Sequence, residues 1–326
     1  TKVVHGGTVK RAIEKRGGPV LDFSASLNPF PPDVKWTPDP GMLECYPDDS
    51  YLNLKEVIGK QFGRSVEEIC VGNGSIELIR LFCAVVLQKG GTFFIEDPTF
   101  GEYALSARLY GGRQTYTHAD ALIRFICNPN NPTGTLHTRD NLCTILDAMP
   151  FPDALLFLDE AFIELSDPNQ SLVNVRNDSL FVLRSLTKNF AVPGIRFGYG
   201  FGEPDLIAQI ELVRPPWSVN AFAEAFAIAA FRNFDELDKS RTLICREREW
   251  LDRELTALGL TCTPSSANYI LADAGRDAGH VSEQLLLRGV LVRNCSSFGL
   301  PTSIRLAVRD REENRILIEA LAACLR

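Results

Sequence analysis

From about residue 66 the chain alternates short, unbroken apolar runs with longer segments of helical periodicity. The runs are EICVG, TFFIED, IRFIC, ALLFLD and LFVLRS. A strand with one wet face alternates polar and apolar residues. These runs do not, so they predict strands buried on both faces of a parallel sheet. The intervening helices predict an α/β fold with both sides of that sheet covered. The pattern changes after RPPWSVN at 214–220. A long charged amphipathic helix, DELDKSRTLICREREWLDRELTALG, leads to short strands around 268–272, 290–293 and 303–308, and REENRILIEALAACL closes the chain as a helix. The expected organisation is a large domain over 41–215, built on a mostly parallel sheet, and a small α+β domain over 216–326. Residues 1–40, rich in proline and polar groups, are expected to form an arm packing on both.

Composition narrows the function. The net charge of -7 and pI near 5.3 leave no basic excess to neutralise phosphates, which argues against a nucleic-acid partner. The nine cysteines include no CxxC pair and no His/Cys cluster at zinc-like spacing, so no metal is expected. Cys70, Cys83 and Cys127 lie inside apolar runs, where cysteine acts as a small hydrophobe; a reducing cytoplasm is expected. The opening TKVVHGGTVKRAIEKRGG lacks the apolar core of a signal peptide. The most apolar helical stretch, AFAEAFAIAAF at 221–231, is too short to cross a bilayer and carries Glu224, so no membrane association is expected.

Functional groups in open parallel sheets gather at the carboxyl ends of the strands. The run EICVG leads into a glycine turn opening a helix, so Gly74, Ser75 and Ile76 can act as an anion cradle or simply as a helix cap. IRFIC ends in NPNNPTG at 128–134, ALLFLD ends in Asp159, and LFVLRS is followed by Lys188. A carboxylate as deep as Asp159 requires a cationic partner or its pKa rises toward neutrality. Taken singly, each feature also has a bland structural reading. Together, a phosphate cradle, a buried acid, an amide-bearing turn and a lysine on one sheet edge match a phosphorylated pyridine aldehyde, pyridoxal 5'-phosphate. The lysine forms an imine with the aldehyde, the acid pairs with the ring nitrogen, and the cradle, Ser185 and Arg196 take the phosphate.

These motifs resemble the fold-type I aminotransferase superfamily of pyridoxal-phosphate enzymes over nearly the whole chain. The carrying segments are YPD at 46, GNGSIELI at 72, NPNNPTG at 128, DEAF at 159 and SLTKNFAVPGIRFGYG at 185. The resemblance implies that Lys188 carries the cofactor, that Asp159 meets its ring nitrogen and that Asn131 meets its phenolic oxygen. It implies Ser185 and Arg196 as phosphate ligands, Thr187 as a phosphate or supporting partner, and Phe100 as the aromatic stacked on the ring. Tyr46 matches a tyrosine that reaches the neighbouring subunit's phosphate, which implies a homodimer. Phe162 stands where many members have a tyrosine that donates to the phenolic oxygen, so Asn131 is left to act alone there. GIRFGYGFG has the wrong glycine spacing for a dinucleotide fingerprint.

Within the superfamily the chain is similar to two branches, the histidinol-phosphate aminotransferases and the L-threonine-O-3-phosphate decarboxylases of cobalamin biosynthesis. HGG near the start, LDFSASLNPFPP, FGEY, PPWSVN, VLVRNCSSFGL and IRLAVR resemble the decarboxylases more. The expected substrate is therefore a small phosphorylated amino acid. Arg305 matches the superfamily's arginine for the substrate carboxylate, a task that suits a planar, bidentate guanidinium. His5, Asn28, Arg293 and Arg309 are the remaining candidates at the substrate, with its phosphate falling to His5, Arg293 and Arg309. A non-catalytic amine sensor built on this fold is the alternative of another class; such regulators usually carry a DNA-binding module ahead of the domain, which is not expected here.

Overall fold

The computed structural model describes residues 3–88 and 90–325. Its centre is a seven-stranded sheet ordered Ile69–Gly72, Gly198–Phe201, Leu180–Ser185, Leu155–Asp159, Ile123–Cys127, Gly91–Ile95 and Gly112–Gln114. All neighbours run parallel except Gly198–Phe201, which is antiparallel to both strands beside it. The five apolar runs thus become strands, and the fold is α/β. Two further strands, GRQ and GYGF, were not foreseen. The first is a short edge with an exposed arginine, and the second is broken by glycines that let neighbours come close. A Cβ at Gly200 would lie 2.5 Å from the Phe181 ring.

Side chains of each strand alternate between two cores. Leu156, Leu158 and Val182 enter one cluster with Tyr199, Phe201 and the helix Ala221–Phe231. Phe157, Phe181 and Leu183 enter the other with the helix Ser75–Val86. This period of two decides which side each polar residue at the strand ends occupies.

A four-stranded antiparallel sheet, ordered Arg293–Asn294, Ser303–Ala307, Tyr269–Asp273 and Thr261–Cys262, carries the carboxyl-terminal unit. Leu21–Asp22 pairs in parallel with Val290–Leu291, and Phe23 is buried in the same core as Leu251, Ile304 and Leu317. The 21-residue helix Leu237–Ala257 belongs to both units, with Leu237 and Ile244 in the first core and Leu251 and Leu255 in the third. We propose that the working division between the two units falls within this helix. Among the described residues, no helix is long and apolar enough to cross a membrane.

Candidate active site

One cavity of about 1180 Å³ lies where the carboxyl ends of the central strands meet the small sheet and the amino-terminal segment. The strand Leu180–Ser185 ends on that cavity, and Ser185 caps the single helical turn Leu186–Asn189 by accepting from the Thr187 amide at 3.2 Å. The turn presents Lys188 at the cavity wall, with Ser185 and Thr187 beside it. Burial is the main influence on the Lys188 ammonium, and the positive charges of Arg305 and Arg196 add to it. Together they outweigh Asp159 and Asp22 and push its pKa down to about 8. Near neutral pH this amine therefore exists in both protonation states.

Asp159, 4 % exposed, ends the adjacent strand. Its Oδ2 accepts from the Tyr103 hydroxyl at 2.7 Å and its Oδ1 from the Ala161 amide at 2.9 Å. Among the described residues it forms no ion pair, and burial raises its pKa to about 6 despite those two donors. Asn131, from NPNNPTG, also lines the cavity, and its Oδ1 accepts from Arg305.

The anion cradle is built by close backbone approach. Gly74 precedes the helix Ser75–Val86 with φ of 76°, and a Cβ there would lie 2.3 Å from Arg196 Nη2. A Cβ at Gly198 would lie 2.4 Å from the Ser75 amide nitrogen. The amides of Ser75 and Ile76 belong to the first turn, which leaves its N–H groups without intrahelical partners. Ser75, Ile76 and Arg196 all face the cavity. Phe100 lines it too, its ring edge-on to Tyr103 at 5.5 Å. Phe162 is buried with its ring 5.9 Å from Lys188 Nζ and can donate no hydrogen bond.

Two arginines form the opposite wall. Arg293 and Arg305 are register partners on neighbouring antiparallel strands, 6 % and 7 % exposed, and both line the cavity. Neither meets a carboxylate among the described residues. Arg305 donates to Asn131 Oδ1 and, at 3.1 Å, to the Ser24 carbonyl, and its Nε is buried without a partner. Arg293 donates to the Asn294 and Val4 carbonyls and to Ser297 Oγ. Burial and the mutual repulsion of the pair lower the pKa of Arg293. His5 reaches the cavity from the amino-terminal segment, its Nε2 2.9 Å from Glu102 Oε1.

Two substrate candidates are not brought to this site. The side chain of Asn28 is spent on the backbone: it donates to the Asn189 carbonyl at 2.7 Å and accepts from the Phe30 amide. It anchors the segment after Lys188 and does not line the cavity. Arg309 forms a bidentate pair with Glu313 four residues on and lies outside the cavity as well. Tyr46 is 78 % exposed and stacks on Trp217 at 4.4 Å, away from its own chain's cavity. Tyr103 was missed. Its spacing of three from Phe100 in FGEY, across the turn that starts the helix Glu102–Leu109, was the available signal.

Pyridoxal phosphate can be tested against these residues. A buried carboxylate without a cation lacks what a pyridinium N–H supplies. The Ser75 and Ile76 amides, Ser185 and Arg196 offer convergent donors for a phosphate, and the Lys188 amine is held near neutrality. They fit. Comparison with known proteins agrees. A histidinol-phosphate aminotransferase of Symbiobacterium thermophilum is 35% identical over 301 residues, covering 87% of this chain and 83% of its own. A Caldanaerobacter subterraneus protein, named provisionally as a threonine-phosphate decarboxylase, is 36% identical over 346 aligned positions, 94% of this chain and 93% of its own. The crystal structure of a Sinorhizobium meliloti histidinol-phosphate aminotransferase with pyridoxal 5'-phosphate superposes with a TM-score of 0.87 at 21% identity, covering 100% of this chain and 95% of that one. With the class I and II aminotransferase model matching residues 38–321, the chain belongs to that family and is a pyridoxal 5'-phosphate enzyme.

Proposed function

We propose that the enzyme decarboxylates L-threonine O-3-phosphate, releasing CO2 and (R)-1-amino-2-propanol O-phosphate. The observation that carries this reading is the cross-strand pair Arg293 and Arg305. Like charges directly opposite on neighbouring strands repel, and burial removes the water that would screen them. Such a pair is tolerated where a ligand neutralises it. A substrate with a carboxylate and a phosphate brings one anion for each guanidinium, and the bidentate geometry of arginine suits both. We assign the carboxylate to Arg305 and the phosphate to Arg293 with His5.

The bound cofactor supplies an electron sink for the pair released when a bond at the substrate's α-carbon breaks. Asp159 would hold the proton of the ring nitrogen. Ser75, Ser185, Thr187 and Arg196 would hold the cofactor phosphate, with Phe100 beside the ring and Asn131 available to the phenolic oxygen. Arg305 and Arg293, by fixing both anions, set which α-carbon bond is presented for cleavage. Lys188, with its pKa near 8, returns a proton to the α-carbon after CO2 departs. We further propose a homodimer, in which the exposed Tyr46 serves the partner's site rather than its own.

The second reading, a histidinol-phosphate aminotransferase, is favoured by the Symbiobacterium relative. The test is CO2 release from O-phospho-L-threonine by the holoenzyme without any keto acid. Release over many turnovers supports the decarboxylase. No release, with glutamate formed from histidinol phosphate and 2-oxoglutarate, sinks it in favour of the aminotransferase.

A further inference from the structure

Tyr103 packs tightly beside Asp159. It is fully buried, its ring lies stacked on Phe125 at 5.3 Å with 8° between planes, and Phe157 and Phe100 pack on it at 6.2 and 5.5 Å. The hydroxyl donates to Asp159 Oδ2 at 2.7 Å, with the neutral Cys127 thiol as its other polar neighbour. The phenol is therefore a donor fixed in place by three aromatic rings, and burial beside a carboxylate keeps it protonated. The other oxygen of Asp159 is tied to the Ala161 amide. With both oxygens bonded, the carboxylate has one rotamer and shares its charge between two donors.

We propose that Tyr103 is a positioning residue that sets the orientation and proton affinity of Asp159, and thereby the acid limit at which the enzyme keeps its cofactor. The proposal does not depend on which reaction follows. The remaining ionisable groups facing Asp159 do not replace this donor. Lys188 forms no ion pair with it, and Glu160 is committed to Arg184 on the far side of the sheet. Cys127 and Tyr269 are buried, and burial pushes both of their pKa values up, so they stay neutral. A hydrogen bond to a buried carboxylate stabilises the charged form, so its loss raises the pKa by about 1–2 pH units. An ionised Asp159 is what retains the cofactor's protonated ring. The part of the affinity that this ion contributes is therefore present above the Asp159 pKa and is lost as the pH falls through it, separately from Lys188, which must shed its own proton near pH 8 to join the cofactor.

The experiment is cofactor retention by the Tyr103→Phe holoenzyme, measured by equilibrium dialysis against pyridoxal phosphate from pH 5 to 8.5. Wild type should lose affinity on the acid side near pH 6, where Asp159 titrates. In the variant that limb should move up by about 1–2 pH units, with less than about a threefold change in Kd at pH 8.5. Ionisations of the cofactor and of Lys188 are common to both proteins and cancel in the difference. A Kd weakened equally at every pH, with the limb unmoved, would mean that Tyr103 only fills space and would overturn the proposal. Should Tyr103→Phe fail to fold, site-specific 3-fluorotyrosine at 103 keeps ring and hydroxyl and makes the phenol a stronger donor. The limb should then move to lower pH, and an unmoved limb overturns the proposal equally.

Discussion

Asp159 and Glu160 are adjacent, as are Arg184 and Ser185, yet the two pairs of neighbours serve opposite sides of the sheet in opposite ways. Arg184, 1 % exposed, lies on the side of Leu180 and Val182 and donates to Glu160 Oε2 at 2.9 Å, to Glu164 and to Ser171 Oγ at 2.7 Å. Glu160 also accepts from the Leu172 amide and Ser171 Oγ. Every charge in that cluster has a protein partner. On the cavity side, Asp159, Lys188, Arg293 and Arg305 are buried or half-buried without any ion pair among the described residues. A closed charge cluster holds the strand ends together, and an open one is completed by ligands. What separates them is not depth but whether the protein itself supplies the counter-charge.

The comparison predicts that variants on the two sides fail differently. Lys188→Ala should lower kcat on the order of 10³-fold or more and abolish the visible absorbance of the holoenzyme, while urea unfolding of the cofactor-free protein changes little. A normal visible band in that variant would place the lysine outside the site. Arg184→Met should do the reverse by stranding Glu160 and Glu164. Breaking a buried ion pair typically costs about 3–5 kcal/mol, seen as a lower urea midpoint. An unchanged midpoint would mean that the closed cluster is not what joins the strand ends.

Much of the cavity side was legible because strand ends in a parallel sheet are where cofactors bind, and Asp159, Lys188, Asn131 and Ser185 stand at or just after the ends of apolar runs. The closed side was not, although Glu160 and Arg184 stand one residue away in the same motifs. Which of two adjacent polar residues faces the cavity depends on the strand's phase, and an unbroken apolar run conceals the phase. Asn28 and Arg309 fall outside the cavity lining for a related reason. Their partners, the Asn189 carbonyl and Glu313, are set by tertiary contact and by helix start respectively, and residue type alone does not distinguish them from ligand-binding groups. The edge strand GRQ carries too little apolar character to register as a strand at all.

Arg305→Met sharpens the contrast at a smaller scale. Removing a guanidinium that holds a ligand anion should lower kcat/KM on the order of 10²-fold. Stability should move by less than about 1 kcal/mol, because relief of repulsion with Arg293 offsets the lost bonds to Asn131 and Ser24. A urea midpoint that falls as far as that of Arg184→Met would erase the distinction between the open and closed clusters.

The smallest effect is the most specific to an open site. Burial holds the Asp159 pKa near 6 rather than at the ordinary carboxylate value, so the folded, cofactor-free protein resists ionisation more than the unfolded chain does. The unfolded chain releases this proton first as pH rises. Asp159 therefore subtracts nothing from stability below about pH 4, and its cost grows until the folded-state pKa is passed. A displacement of roughly two pH units is worth about 3 kcal/mol. Asparagine removes the charge but leaves the Ala161 amide or the Tyr103 hydroxyl with a poorer acceptor, so Asp159→Asn should gain only about 1–2 kcal/mol at pH 8. The gain should vanish at pH 4, where the wild-type acid is itself neutral. With cofactor present the order should reverse, since the ligand's ring nitrogen supplies the missing counter-charge and wild type is then the more stable protein. A variant less stable than wild type without cofactor at pH 8 would show that Asp159 is already paid for by its two hydrogen bonds, and that the site is closed before the cofactor arrives.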